Sequence, residues 1–117
     1  MKVQFLGHLI ETDYIYEITP IYKAIKKTVT DKFIPVAARN SVIWFEIKFL
    51  NEKEPLRILK YVSSHPKIDL TTQEHGYFTI DENIFDEAVE EIYTKLEKSI
   101  KELISYTGQS IIPKIEW

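Results

Sequence analysis

Residues 84–106 read IFDEAVEEIYTKLEKSIKELISY. Phe85, Val89, Ile92, Leu96, Ser99, Leu103 and Tyr106 recur at alternating intervals of four and three, and Ala88, Tyr93, Ile100 and Ile104 widen the stripe. An apolar stripe of this breadth with charge on the other side is an amphipathic helix laid on another layer. At 1.5 Å per residue it spans about 35 Å. Asp81 or Asn83 can cap its start, and Gly108 sits where a C-terminal cap belongs. Acids crowd its first turns, whereas Lys95, Lys98 and Lys101 lie in its second half, which matches the helix dipole. The stripe covers a sheet of the same chain or, in part, pairs with the helix of another chain. Ser99 at a seam position and the breadth of the apolar face favour the sheet.

The stretches before the helix supply that sheet. Residues 42–50, VIWFEIKFL, put Ile43, Phe45, Ile47 and Phe49 on one face and Trp44, Glu46 and Lys48 on the other. After the polar turn 51–55, residues 56–63 alternate again and predict a hairpin with 42–50. Leu56, Leu59 and Val62 behind Pro55 also suit a helix. Residues 3–10 form a short apolar run with Gly7 as a bulge or turn. A polar break at 11–13 and the strand-like YIYEI of 14–18 complete a predicted N-terminal hairpin.

Thr19 and Pro20 then read as an N-cap and first helical residue, predicting a short helix over 20–30. The competing reading is one longer strand carrying Tyr14, Tyr16, Ile18 and Tyr22 on one face. Residues 68–72 and 77–80 flank QEHG as a small hairpin. The apolar tail 110–117 contains Pro113, so it reads as an edge strand or strap on its own core. The expected fold is one α+β domain over 1–117, a curled antiparallel β-sheet of four to six strands packed against one long C-terminal α-helix.

Composition narrows the function. Forty-four per cent hydrophobic and 28% charged residues are ordinary for a globular chain of 117 residues. The absence of cysteine excludes disulfides, thiolate metal sites and a thiol nucleophile. Gly7, Gly76 and Gly108 are too scattered for a phosphate-binding loop. The longest run without Asp, Glu, Lys or Arg is residues 103–113, too short for a membrane span. There is no basic segment followed by an apolar one at the start, so a cytoplasmic protein is expected. Eighteen isoleucines against four alanines, and thirteen lysines against two arginines, fit an AT-rich coding background such as a bacterial or phage one.

Chemistry-bearing groupings are sparse. His8, Glu11 and Asp13 sit together at the first turn, and His65, Asp69, Glu74 and His75 form a looser set. Neither matches a metal-ligand spacing, and no cofactor or metal is expected. Ser63, Ser64 and His65 are neighbours in sequence without an orienting acid. The acids of 81–91 read as a solvated helix start.

Lys23, Lys26, Lys27, Lys32 and Arg39 are the one basic concentration, close to Tyr14, Tyr16, Tyr22 and Trp44. Residues 1–60 carry a net +3, with ten basic and seven acidic residues. Residues 61–117 carry −6, with five basic and eleven acidic residues.

The expected function is therefore a non-enzymatic protein-binding module, such as a small inhibitor. Its partner surface is placed at Tyr14, Tyr16, Tyr22, Lys23, Lys27, Trp44 and Trp117. A protein partner or a second copy is expected and a membrane is not. The alternatives are a small-ligand or enzymatic pocket between sheet and helix, and single-stranded nucleic acid bound by the Lys/Tyr patch.

Overall fold

The computed structural model describes residues 1–25, 33–35, 40–68, 73–74, 77–79, 82–106 and 114–115. The chain is an α+β protein in which antiparallel sheets pack with one long C-terminal helix. Its strands are β1 (Lys2–Phe5), β2 (His8–Glu11), β3 (Ile15–Ile18), β4 (Tyr22–Ala24), β5 (Phe33–Pro35), β6 (Val42–Phe49), β7 (Leu56–Tyr61), β8 (Gln73–Glu74), β9 (Tyr77–Thr79) and β10 (Lys114–Ile115). The helix α1 spans Glu82–Ser105, within two residues of the predicted 84–106. No described helix is long and apolar enough to cross a membrane.

Hydrogen bonding distributes the strands among three sheets, ordered β10-β1-β2, β3-β6-β4 with β7 also on β6, and β5-β9-β8. Contacts divide the chain into two compact units. Unit 1 is Met1–Pro20, Phe45–Ile58 and Thr94–Trp117; unit 2 is Ile21–Trp44 and Leu59–Tyr93. In unit 1, Val3, Phe5, Ile10, Phe45, Ile47, Ile58, Leu96 and Leu103 are buried. Phe5 meets Phe45 edge to face, centroids 6.1 Å apart. In unit 2 the buried set is Ile43, Val62, Phe85, Ala88, Val89 and Ile92. The helix therefore buries its stripe within this chain. Ser99 sits inside it without penalty because its hydroxyl donates to the Lys95 carbonyl at 2.9 Å. Ile104, on the margin of the stripe, stays 58% exposed.

The N-terminal hairpin turns earlier than expected. Leu6 and Gly7 both have positive φ, 45° and 85°, the sign pattern of the tight turn that matches strand twist. β1 thus pairs with β2, from Phe5↔His8 to Lys2↔Glu11. The polar break is a 3-10 turn, Thr12–Tyr14. The strand predicted at 14–18 pairs instead with β6.

The short helix expected over 20–30 is corrected where it is described. Tyr22–Ala24 is a strand, and residues 26–30 lie outside the described residues. The reason is the open edge of β6. β3 pairs with its far end (Ile18↔Ile47) and β4 with its near end (Tyr22↔Trp44), both antiparallel. Pro20 has no N–H to give, and Thr19 bridges the gap. Its N–H donates to the Glu46 carbonyl at 2.9 Å, and its hydroxyl accepts the Glu46 N–H at 2.8 Å.

Residues 15–24 are therefore one interrupted strand, closer to the competing reading but with shifted register. Three residues separate Ile18 from Tyr22, whereas two separate Ile47 from Trp44. The slip moves Tyr22 off Ile18's core face onto the outer face.

The 56–63 stretch is the strand β7 followed by a 3-10 turn, Val62–Ser64, rather than a helix. β8 and β9 pair as a small hairpin, with Gln73 and Glu74 inside the strand, while residues 69–72 of the strand expected at 68–72 lie outside the described residues. The tail's described residues form an edge strand, parallel to β1 at Gln4↔Lys114 and Phe5↔Ile115. Asp81 and Gly108, the expected caps, lie outside the described residues.

The burial pattern makes a direct prediction. Phe45→Ala should cost about 3–5 kcal/mol, a large share of a small domain's stability. Ile104→Ala should change it by less than about 0.5 kcal/mol. Urea midpoints with unchanged m-values would check both. Equal losses would mean that the helix presents a different face to the core.

Candidate binding cleft

An open concavity lies in unit 1. The Leu6–Gly7 turn returns the chain as β2, whose Ile10 is buried and whose Leu9 is 61% exposed. The following 3-10 turn is held because the Thr12 N–H and hydroxyl both donate to the Met1 carbonyl, at 2.8 and 2.9 Å. This places Tyr14, whose carbonyl accepts the Leu50 N–H at 2.7 Å, beside the end of β6.

Between β2 and the β6–β7 turn lies an open cleft of about 500 Å³. Leu9, Tyr14, Phe49, Pro55 and Leu56 supply its apolar surface, and His8, Glu11, Asn51, Glu52 and Glu54 its polar one. Glu11 and Asp13 accept hydrogen bonds from the Met1 ammonium, which Glu11 first and then Asp13 holds above its ordinary pKa. No described cation pairs with Glu52 or Glu54.

The predicted surface residues do not form one surface. Tyr14 lines the cleft and is 46% exposed. Tyr16 is exposed because it is the extra residue of a bulge: Ile15 opposes Phe49 and Glu17 already opposes Lys48. Glu17 and Lys48 form an ion pair at 3.1 Å that raises the Lys48 pKa.

In unit 2, Tyr22 packs against Trp44 with centroids 5.4 Å apart on the outer face of β6. Lys23, the next residue, projects to the other side of the strand. Its ammonium meets Glu90 at 3.2 Å and lies 4.5 Å from the Tyr93 ring centroid. Lys27 and Trp117 lie outside the described residues, as do Lys26, Lys32, Arg39, Asp69 and His75. Sequence reading missed Leu9, Phe49, Glu52, Glu54 and Leu56. The signal available was Leu6-Gly7, a two-residue connection between apolar runs.

The other described histidine, His65, is engaged structurally. His65 is nearly buried, and its Nδ1 accepts the Lys67 backbone N–H at 3.1 Å. That leaves Nε2 as the protonated nitrogen, which donates to Glu91 Oε2 at 2.5 Å. Neither ring nitrogen remains to accept a proton from Ser63 or Ser64, and the Ser64 hydroxyl donates to the Tyr61 carbonyl at 2.7 Å. Among the described residues no three His, Asp or Glu side chains are grouped to hold a metal. Comparison with known proteins adds no relative: no family model, no curated protein and no solved structure matches the chain.

Lys67 first, and then His65, hold the Glu91 carboxyl below its ordinary pKa. Glu91 in turn holds Lys67 above its own. A depressed carboxylate contributes stability above its unfolded pKa and loses it as pH falls through the folded value. Glu91→Gln should therefore lower the melting temperature at neutral pH, and the difference should close on acidification below the ordinary carboxylate range. His65→Ala should cost about 1–2 kcal/mol through its lost hydrogen bonds. A Glu91→Gln deficit that persists unchanged in acid would show that ionisation is not its source.

Proposed function

We propose that the chain is a non-enzymatic protein-binding module, of the kind that can block another protein's surface, and that it binds through the unit 1 cleft. The observation that carries this reading is the exposure of large apolar side chains around an open, acid-lined cleft. Leu9 is 61% and Tyr14 46% exposed, and both line the cleft. Apolar surface of this kind beside Glu52 and Glu54, which have no cationic partner among the described residues, favours a macromolecular partner that covers it. The Tyr22–Trp44 pair offers a second aromatic contact surface in unit 2.

A second reading shares the cleft. Its volume suits a small ligand, and His8 stands in it beside carboxylates. A ligand that used His8 would lose affinity on His8→Ala.

The test is a tagged pull-down from native lysate with the wild-type chain and with Leu9→Asp and Tyr14→Ala. Both side chains are exposed, so the fold tolerates their replacement. The expected result is a stoichiometric protein, resistant to nuclease, that both variants lose. A lone protein in the eluate, or capture indifferent to both variants, would sink the proposal. Recovery of nucleic acid with a steep salt dependence would point to the Lys/Tyr patch instead.

A further inference from the structure

We infer that β2 is a docking edge for an extended, basic peptide segment of a partner protein, which adds to it as a further strand. The inference rests on the binding-module reading and names the site and the chemistry of the partner.

The hydrogen-bond phase of the hairpin sets up the edge. A two-residue turn makes the pair that closes it, Phe5↔His8, a hydrogen-bonded one, and such pairs recur at every second position. Val3↔Ile10 is the next. The outermost rung verifies the phase, because the Thr12 N–H donates to the Met1 carbonyl at 2.8 Å. The intervening residues, Leu9 and Glu11, therefore turn their N–H and C=O groups away from β1. β2 is the last strand of its sheet, and no described residue bonds these groups.

Sheet edges that are not meant to pair are usually blunted by lysine, proline, a bulge or extreme shortness. The opposite edge of the same sheet shows this protection. The described part of β10 is Lys114–Ile115, and Pro113 precedes it in the sequence. β2 is less protected: its four residues, HLIE, carry one charge, Glu11, and no lysine, proline or bulge, and Leu9 stands out in solvent. All four residues of β2 also line the cleft.

Charge selects the occupant. The cleft's carboxylates are Glu11, Glu52 and Glu54, and only Glu11 has a described cationic partner, the Met1 ammonium. An added strand alternates its side chains between two faces, so a segment that alternates apolar residues with Lys or Arg meets both parts of the cleft. In this proposal its apolar side chains cover Leu9, Tyr14 and Leu56, and its cations pair with Glu52 and Glu54. A second copy of this chain fits less well, because it would double the carboxylates at the site.

The test titrates the full chain with a blocked Val-Lys-Val-Lys-Val-Lys peptide and its Val-Glu counterpart, followed by calorimetry and amide NMR. The expected result is saturable binding of the lysine peptide alone, with slowed amide exchange at Leu9 and Glu11. Leu9→Pro removes one outward N–H but no rung of the hairpin and should weaken binding at least about tenfold. Glu52→Lys with Glu54→Lys, on an exposed turn that carries no fold burden, should do the same. Equal binding of the glutamate peptide, or no saturable binding, would overturn the inference. So would retained affinity in the charge-reversed variant, or a concentration-dependent dimer that Leu9→Pro abolishes, which would assign the edge to a second copy. A protein captured equally well by wild type and Leu9→Pro would remove the strand edge while leaving the binding role intact.

Discussion

The structure depends on β6 being paired along both of its edges. Its inward residues, Ile43, Phe45 and Ile47, have no solvent exposure. Its backbone bonds β7 on one side and the interrupted strand of β3 and β4 on the other. A strand in this position must be apolar on its buried face and can tolerate polarity only on the other. Glu46 and Lys48 occupy that other face, and each is matched by an opposite charge: Arg57 at 3.0 Å and Glu17 at 3.1 Å. Both compact units include part of β6, part of β7 and part of α1.

Where the period was long, the sequence was readable. The helix stripe persists over six turns, so occasional polar residues such as Ser99 do not obscure it, and its buried members are those the spacing named. The eight residues of β6 alternate cleanly for the same reason. The failures fall where local chemistry serves two structures. Thr19-Pro20 is a good helix start and also a good strand interruption, because threonine can bond a neighbouring backbone in either setting and proline withholds a donor in both. What decided between them was the unpaired edge of β6, more than twenty residues further along the chain. No local pattern contains that information.

The site was less legible than the fold. Tyr22 and Lys23 are adjacent in sequence, which invites one patch, but successive strand residues point to opposite faces. One therefore packs on Trp44 and the other reaches Glu90 and Tyr93. Tyr14 alone of the predicted residues reaches the cleft. The other walls come from 8–11 and 49–56, stretches that read separately as a short apolar run and a polar turn. The pairing of Ile15 with Phe49 and the bond from the Leu50 N–H to the Tyr14 carbonyl bring their ends together.

The distribution of satisfied and unsatisfied groups bears on what such a molecule can do. General acid–base chemistry needs a titratable group with a free lone pair or proton and an environment that tunes it. His65 has its two nitrogens committed, one to a backbone N–H and one to Glu91, and Glu91 is shared with Lys67. These bonds lock the 62–67 turn onto the helix within unit 2. The groups left over in unit 1 are alternate backbone amides of β2, exposed leucine and tyrosine side chains, His8, and carboxylates without described cations. Main-chain hydrogen bonds give affinity with little regard to sequence, whereas carboxylates set against apolar surface discriminate by charge and pattern. A surface that combines the two is suited to holding a chain segment.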